Sequence, residues 1–149
     1  MAEVGIIEGE KLLILIGNGA TTEVFTHPCL INMARSLSFV TNMTETEVPD
    51  CDNPSQPAKI VRKAKSIDFT ISGTGKVDKT SVFAYIQWLQ SAAPKNAKIR
   101  QNETGANGGW EGVGKLLLKD FDVSGDRGDY QEVTLTLVPA GVFTWTANP

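Results

Sequence analysis

The chain has 149 residues, 41% hydrophobic and 21% charged, the make-up of one soluble globular domain large enough to close a core without disulfides or metals. A net charge of −3 and a pI of about 5.1 argue against broad nucleic-acid binding, which needs a basic surface to displace counterions from phosphate. No apolar run reaches the length of a membrane span.

Residues 1–10 carry Glu3, Glu8 and Glu10 and no Lys or Arg, so they lack the basic start of a secretory signal. An acidic, poorly ordered arm is expected there, in a chain made and folded in cytoplasm. In that reducing compartment Cys29 and Cys51 are expected as free thiols. Residues 11–17 form a strand and Gly17-Asn18-Gly19 a turn. Residues 23–26 and 30–31 are short extended pieces around Pro28. Residues 35–41 alternate, with Leu37 and Phe39 on one face and Ser36 and Ser38 on the other.

From residue 42 to 58 buried-type periodicity stops, and Pro49, Pro54 and Pro57 punctuate the segment. Its first part is acidic (Glu45, Glu47, Asp50, Asp52), and the part that follows is basic (Lys59, Arg62, Lys63, Lys65). A loop over residues 42–63 is either a mobile hairpin tip or an arm that orders against another copy of the chain.

Residues 65–73 alternate strictly: Ile67, Phe69 and Ile71 against Asp68, Thr70 and Ser72. Gly73-Thr74-Gly75 breaks that strand. Asp78 stands where an N-cap is wanted, and a helix is expected over residues 78–92, stopped by Pro94. Val82, Phe83, Ile86, Leu89 and Ala93 recur at spacings of three and four and form its core face. Next come a short strand at 97–101, a glycine-containing loop at 102–109, a long or bent strand at 110–123 and a turn at 125–128. In the regular strand at 130–138, Val133, Leu135 and Leu137 alternate with Glu132, Thr134 and Thr136. Residues 141–149 end in a strand or tail. The fold class is mainly β with one α-helix, a β-sandwich or small barrel flanked by that helix, in a single domain over residues 1–149.

Catalytic patterns are missing. The lone histidine, His27, with Cys29, Asp50, Cys51 and Asp52 lacks the paired spacing of a structural zinc site, and no nucleophile turn accompanies it. Residues 109–115 fit G-x-x-x-x-G-K, but Leu116 stands where Ser or Thr must hold magnesium. Asp120, Asp122, Asp126 and Asp129 are expected as solvated turn acids. No enzyme activity, metal or cofactor is expected.

The order of elements resembles that of phage tail tube proteins, the major tail proteins of long-tailed siphophages and of gene-transfer-agent tails. The resemblance covers most of the chain. It rests on "LLILIGNGATTEVF", on "ARSLSFVTNMTETEV" running into a polar loop, on "KSIDFTISGTGKVD" before one helix, and on "YQEVTLTLVPAG". It implies hexameric rings stacked into a tube that holds a tape measure protein and then conducts DNA at ejection. Tail terminator and distal tail or baseplate proteins would be further partners, with no membrane contact. The location implied is the virion tail, after assembly in host cytoplasm. The 42–63 loop would reach the neighbouring ring through Glu45, Glu47, Asp50, Asp52, Lys59, Arg62 and Lys63. The chain departs from better-known members in its cysteines and its short C-terminal end.

The hydroxyl and acid set Ser36, Ser38, Asp68, Thr70, Ser72, Glu132, Thr134 and Thr136 would then line the lumen, since such groups do not grip phosphate. The competing reading is a soluble carbohydrate- or protein-binding β-sandwich that stacks ligands on Trp88, Trp110 and Trp145.

Overall fold

The computed structural model describes residues 5–19, 22–28, 30, 31 and 33–149. The strands are β1 (Leu12–Gly17), β2 (Phe25–Thr26), β3 (Ala34–Val48), β4 (Lys59–Lys76), β5 (Lys95–Gln101), β6 (Trp110–Ser124), β7 (Glu132–Pro139) and β8 (Thr144–Ala147). One α-helix, α1 (Val82–Ser91), lies between β4 and β5. The strands form one sheet in the order β2-β1-β5-β6-β7-β4-β3, with β8 also on β6, and every pairing is antiparallel.

β6 organises the sheet. Its first half pairs β5 on one edge and β8 on the other, and its second half pairs β7. Gly112 and Gly114 have no side chains because Trp145 and Phe143 occupy the space where a Cβ would stand.

Period-two alternation sends Ile14, Ile16, Ala97, Ile99, Leu116, Leu118, Val133, Leu135, Leu137, Phe69 and Ile71 into one buried cluster. The two ends of the sheet meet over it. His27 bonds Ile14 of β1, and Arg35 of β3 reaches His27 Nε2 at 3.2 Å and the Glu10 carbonyl at 3.1 Å. That closure gives a single curled layer with a barrel-like core.

Three local expectations change. Residues 30–31 are not extended pieces: the Ile31 N–H bonds the Pro28 carbonyl, and Leu30 and Ile31 plug the core, fully buried. β4 does not break at Gly73 but runs on to Lys76, because Gly73 is a place of close approach: a Cβ there would overlap the Ile31 side chain. And Asp78 caps a turn rather than the helix. Its carboxylate accepts from Thr80 N–H and from the Thr80 and Ser81 hydroxyls, and α1 begins four residues later. Those bonds to the ionised form, the one from Ser81 foremost, lower the Asp78 pKa.

The packed face of the helix also differs. Spacing makes Val82, Phe83, Ile86 and Leu89 the core face, yet Phe83 and Leu89 are exposed and Val82 and Ile86 are half-buried. The inward residues are Trp88, 4% exposed, and Tyr85, which stacks on Phe121 of β6 at 6.1 Å. The Trp88 indole N–H donates to the Ala93 carbonyl at 2.7 Å, and Lys95 lies over its ring. Gln87, Gln90 and Ser91 fall on the same side of α1 as Phe83, so that side turns to solvent and the aromatic pair Tyr85 and Trp88 takes the core. Ala92, at φ 54°, closes the helix in the left-handed region just before Pro94.

Candidate functional site

The 42–63 segment is mostly not a loop. β3 and β4 stay paired from Ala34↔Thr74 out to Val48↔Lys59, with one register shift at Asn42/Met43, so only residues 49–58 are unpaired. Glu45 and Glu47 lie on β3, Lys59, Arg62 and Lys63 on β4, and Asp50 and Asp52 at the tip. The charge segregation seen in sequence becomes a cross-strand relation: Arg62 Nε donates to Glu45 Oε1 at 2.9 Å. Aperiodicity misleads because residues 42–63 are exposed on both faces of this ribbon, so no buried set imposes alternation. Cys51 is exposed at the tip, whereas Cys29 lies outside the described residues.

Directly opposed residues of an antiparallel pair share a face. Ser36↔Ser72↔Thr136, Ser38↔Thr70, Thr74↔Thr134 and Lys76↔Glu132 therefore lie together, away from the core. Asp68 joins them opposite Val40. All eight sequence-selected polar residues thus share one side of β3, β4 and β7. The Ser36 and Ser72 hydroxyls bond each other across it, and Asn42 Nδ2 donates to Ser66 Oγ at 2.9 Å.

The same face extends onto β6 through Asp120↔Thr136, Asp122↔Thr134 and Ser124↔Glu132. Asp120 and Asp122 are therefore strand residues, not the turn acids expected from sequence. Their alternation with Phe121 and Val123 is the signal that could find them, but a register shift at Leu118/Asp120 masks the phase. The face also holds a base absent from the sequence-selected set, because that set ends the strand at Gly73. Lys76 Nζ donates to Glu132 Oε1 at 2.6 Å, and that bond, before the charge itself, raises the lysine pKa. Beside that ion pair the face carries Asp68, Asp120 and Asp122, the hydroxyl residues and the exposed Val40.

This four-stranded wall has an open edge at each end. β3 is the last strand of the sheet, and β5 leaves β6 at Leu116, so β6 beyond Leu116 lacks a neighbour on that side among the described residues. Unpaired N–H and C=O groups along such edges are templates for another strand.

The remaining candidates are structural. His27 Nδ1 stands 3.1 Å from the Ile14 carbonyl and 3.3 Å from the Ile14 N–H while Nε2 faces Arg35 and the Ile31 carbonyl, so the ring ties loop to strands. Burial lowers its pKa, and the Arg35 charge adds to that against the opposing pull of the two carbonyls. The near-P-loop at residues 109–115 runs into β6 rather than a helix. Asp126 and Asp129 stand in the turn before β7. Trp88 is buried, and Trp110 and Trp145 pack together at 5.6 Å in an aromatic cluster with Phe39, Phe69 and Phe143. A hollow of about 720 Å³ between residues 5–8 and 103–108 holds the Lys11–Glu103 ion pair. Among the described residues no helix is long and apolar enough to cross a membrane.

Comparison with known proteins follows the same direction. The family model described as phage tail tube protein matches residues 6–145. A search of curated proteins finds no match. Among solved structures, the chain is similar to a chain in the tail of an empty gene transfer agent particle refined with helical C6 symmetry (17% identity, TM-score 0.71, 95% of this chain and 100% of that one). It is similar to a chain in the virion of a native gene transfer agent particle (18%, TM-score 0.70, 95% and 100%). The SPP1 tail tube is a third likeness (13%, TM-score 0.63, 96% and 80%). At these identities the likeness is one of fold.

Proposed function

Because this chain belongs to the phage tail tube protein family, we propose that its copies join edge to edge into hexameric rings, which stack into a conduit for DNA during ejection. One observation carries this reading: a continuous four-stranded polar wall, β3-β4-β7-β6, with an edge at each end that is unpaired among the described residues. The edge of β3 on one copy meets the exposed half of β6 on the next. The two edges differ, so the contact is heterologous and closes only as a ring. The C6 symmetry of the similar gene transfer agent tail supports six copies.

In that ring the hydroxyls with Asp68, Asp120 and Asp122 face the bore, where they repel or ignore phosphate, and the β3–β4 arm reaches the adjoining ring. A tape measure protein occupies the bore before DNA does, and terminator and baseplate proteins close the ends. Assembly takes place in host cytoplasm and the finished protein resides in the virion tail. The role is structural and non-enzymatic, over one domain. Ligand stacking on Trp88 is disfavoured by its burial.

Negative-stain microscopy of concentrated purified protein tests this reading. Rings or hollow tubes are expected. A monodisperse monomer at every concentration, with a tail initiator added, would refute it.

A further inference from the structure

Charge is segregated along this chain on a scale larger than one element. Residues 46–58, at the end of the arm, hold Glu47, Asp50 and Asp52 and no Lys or Arg. Residues 79–102 hold Lys79, Lys95, Lys98 and Arg100 and no Asp or Glu. The tip is exposed throughout, so its own copy does not bury it. Lys59, opposite Val48, is the first base beyond the tip, and Arg62 is already engaged by Glu45. A two-stranded ribbon is at best marginally stable alone, so this one calls for a surface that matches its acidic end.

Such a surface lies on the outer side of β5 and β6. Ala97, Ile99 and Gln101 are buried, so alternation turns Asn96, Lys98 and Arg100 outward. Register sets Leu15, Lys98, Val113 and Thr144 side by side there, with Lys115 beside Asn96. β5 and the first half of β6 are flanked on both edges, so this face is met by something laid on it rather than by an added strand. A hollow of about 450 Å³ opens on it, lined by Phe25, Val113, Val142 and Lys115 among its residues. Its size falls within the roughly 300–1,000 Å³ of ordinary ligand sites. Val142 is 93% exposed and Val113 44%, so apolar surface stands open around it.

The acids near this hollow are engaged. Glu23 accepts from the Gly19 N–H at 2.9 Å and from Asn96 Nδ2 at 2.8 Å, and Glu111 stands opposite Arg100. Lys98, whose Nζ lies over the Phe25 ring at 4.4 Å, is flanked by Leu15 and Val113, and Lys115 by Asn96. Neither lysine has a carboxylate directly across the strands. The face is therefore apolar and basic where the tip is apolar and acidic, since Val48 and Pro49 precede Asp50 and Asp52.

We propose that this outer face, with Lys98 and Lys115 around the Phe25–Val113–Val142 hollow, is the seat for the acidic arm tip of a second copy. The inference rests on the tube reading and names the surface that would join ring to ring. Val48 and Pro49 enter the hollow, and Asp50 and Asp52 meet the two lysines. Apolar burial holds the tip, and the charges direct it to this face and away from the acidic wall. Each copy offers one tip and one seat, so the contact is heterologous and propagates along the axis rather than closing a pair.

The test uses assembled tubes. A minority of subunits with p-benzoylphenylalanine in place of Val48 is mixed with isotopically heavy wild type, assembled, irradiated and digested with trypsin. Cross-links are expected from position 48 of one copy to the heavy peptides spanning residues 101–115 and 128–149, at Val113 and Val142. Cross-links that fall outside the residues lining the hollow, or only within one copy, would overturn the assignment. Lys98→Glu with Lys115→Glu should lose at least about tenfold in tube yield while the free subunit keeps its melting temperature. Asp50→Lys with Asp52→Lys should do the same, and the four substitutions together should recover to within about threefold of wild type. Wild-type yield from either pair, or no recovery when they are combined, would also overturn it. Should a variant fail to fold, the cross-link map still decides. A wild type that makes no tubes refutes the tube reading itself, which separates that failure from tubes whose arms lie elsewhere.

Discussion

His27 Nε2 and Arg35 Nη1 stand 3.2 Å apart and join the two ends of one curled sheet. Burial lowers the His27 pKa below its ordinary 6.5, with Arg35 adding to the shift. In the unfolded chain the ring takes up a proton as pH falls through about 6.5, while in the folded chain it does so only at lower pH. Stability is therefore full above that value and declines as pH drops through it, levelling off below the folded pKa. The melting temperature should fall between pH 7.5 and 5 in the wild type. In His27→Gln that slope should be shallower, and an identical slope would mean His27 is not the group responsible.

Gly73 and Ile31 make a steric pair. Gly73→Ala forces the Ile31 side chain aside and should cost about 1–3 kcal/mol by overpacking, read from urea unfolding. Ile31→Ala should cost about 2–5 kcal/mol through its cavity. The double variant should lose clearly less than the sum, since the new methyl occupies space the smaller side chain vacates. Strict additivity would show that the two do not touch.

Trp88, not the Phe83 stripe, anchors the helix. Trp88→Ala should cost about 3–5 kcal/mol in the free subunit. Phe83→Ala should stay within about 0.5 kcal/mol, the range of surface sites. The reverse order would restore the core face expected from spacing.

Alternation makes much of this fold legible in the chain itself. Residues 65–73 and 130–138 locate β4 and β7, because one buried face forces period two. The polar set on those strands lands on a single face for the same reason. The departures have physical causes. The arm reads as a loop because neither of its faces is buried in the subunit, so selection for a core imposes no strict phase on it. The helix face is misread because spacing joins Phe83 to Val82 and Ile86, whereas Gln87, Gln90 and Ser91 mark the Phe83 side as the solvent side. Asp120 and Asp122 are hidden by a bulge, which breaks the phase that alternation needs. Pairing partners such as residues 36, 72 and 136 lie beyond any local pattern.

Arm removal should separate folding from assembly. Replacing residues 44–63 by an Asn-Gly turn should leave a subunit with near wild-type melting temperature, because every residue removed is exposed. That subunit should form no long tubes under the microscope. Normal tubes would exclude the arm as a ring-to-ring contact.

The wall carboxylates should matter to transport more than to folding. Asp68→Lys with Asp122→Lys turns exposed acids into bases without breaking the Lys76–Glu132 pair. Particles should assemble with such tubes but eject DNA more slowly, most clearly at low ionic strength, where screening is weakest. Unchanged ejection kinetics would remove these side chains from the bore.

The arm is held to its subunit only by the onward run of its own two strands, and it extends roughly 20 Å past the bulge at about 3.3 Å per residue. Mechanically it is a lever whose pivot is Asn42/Met43. A tilt of about 10° at that pivot carries the tip roughly 3–4 Å, about one residue of strand rise. In the stack proposed above, where the arm joins ring to ring, bending of the tube would load this bulge first.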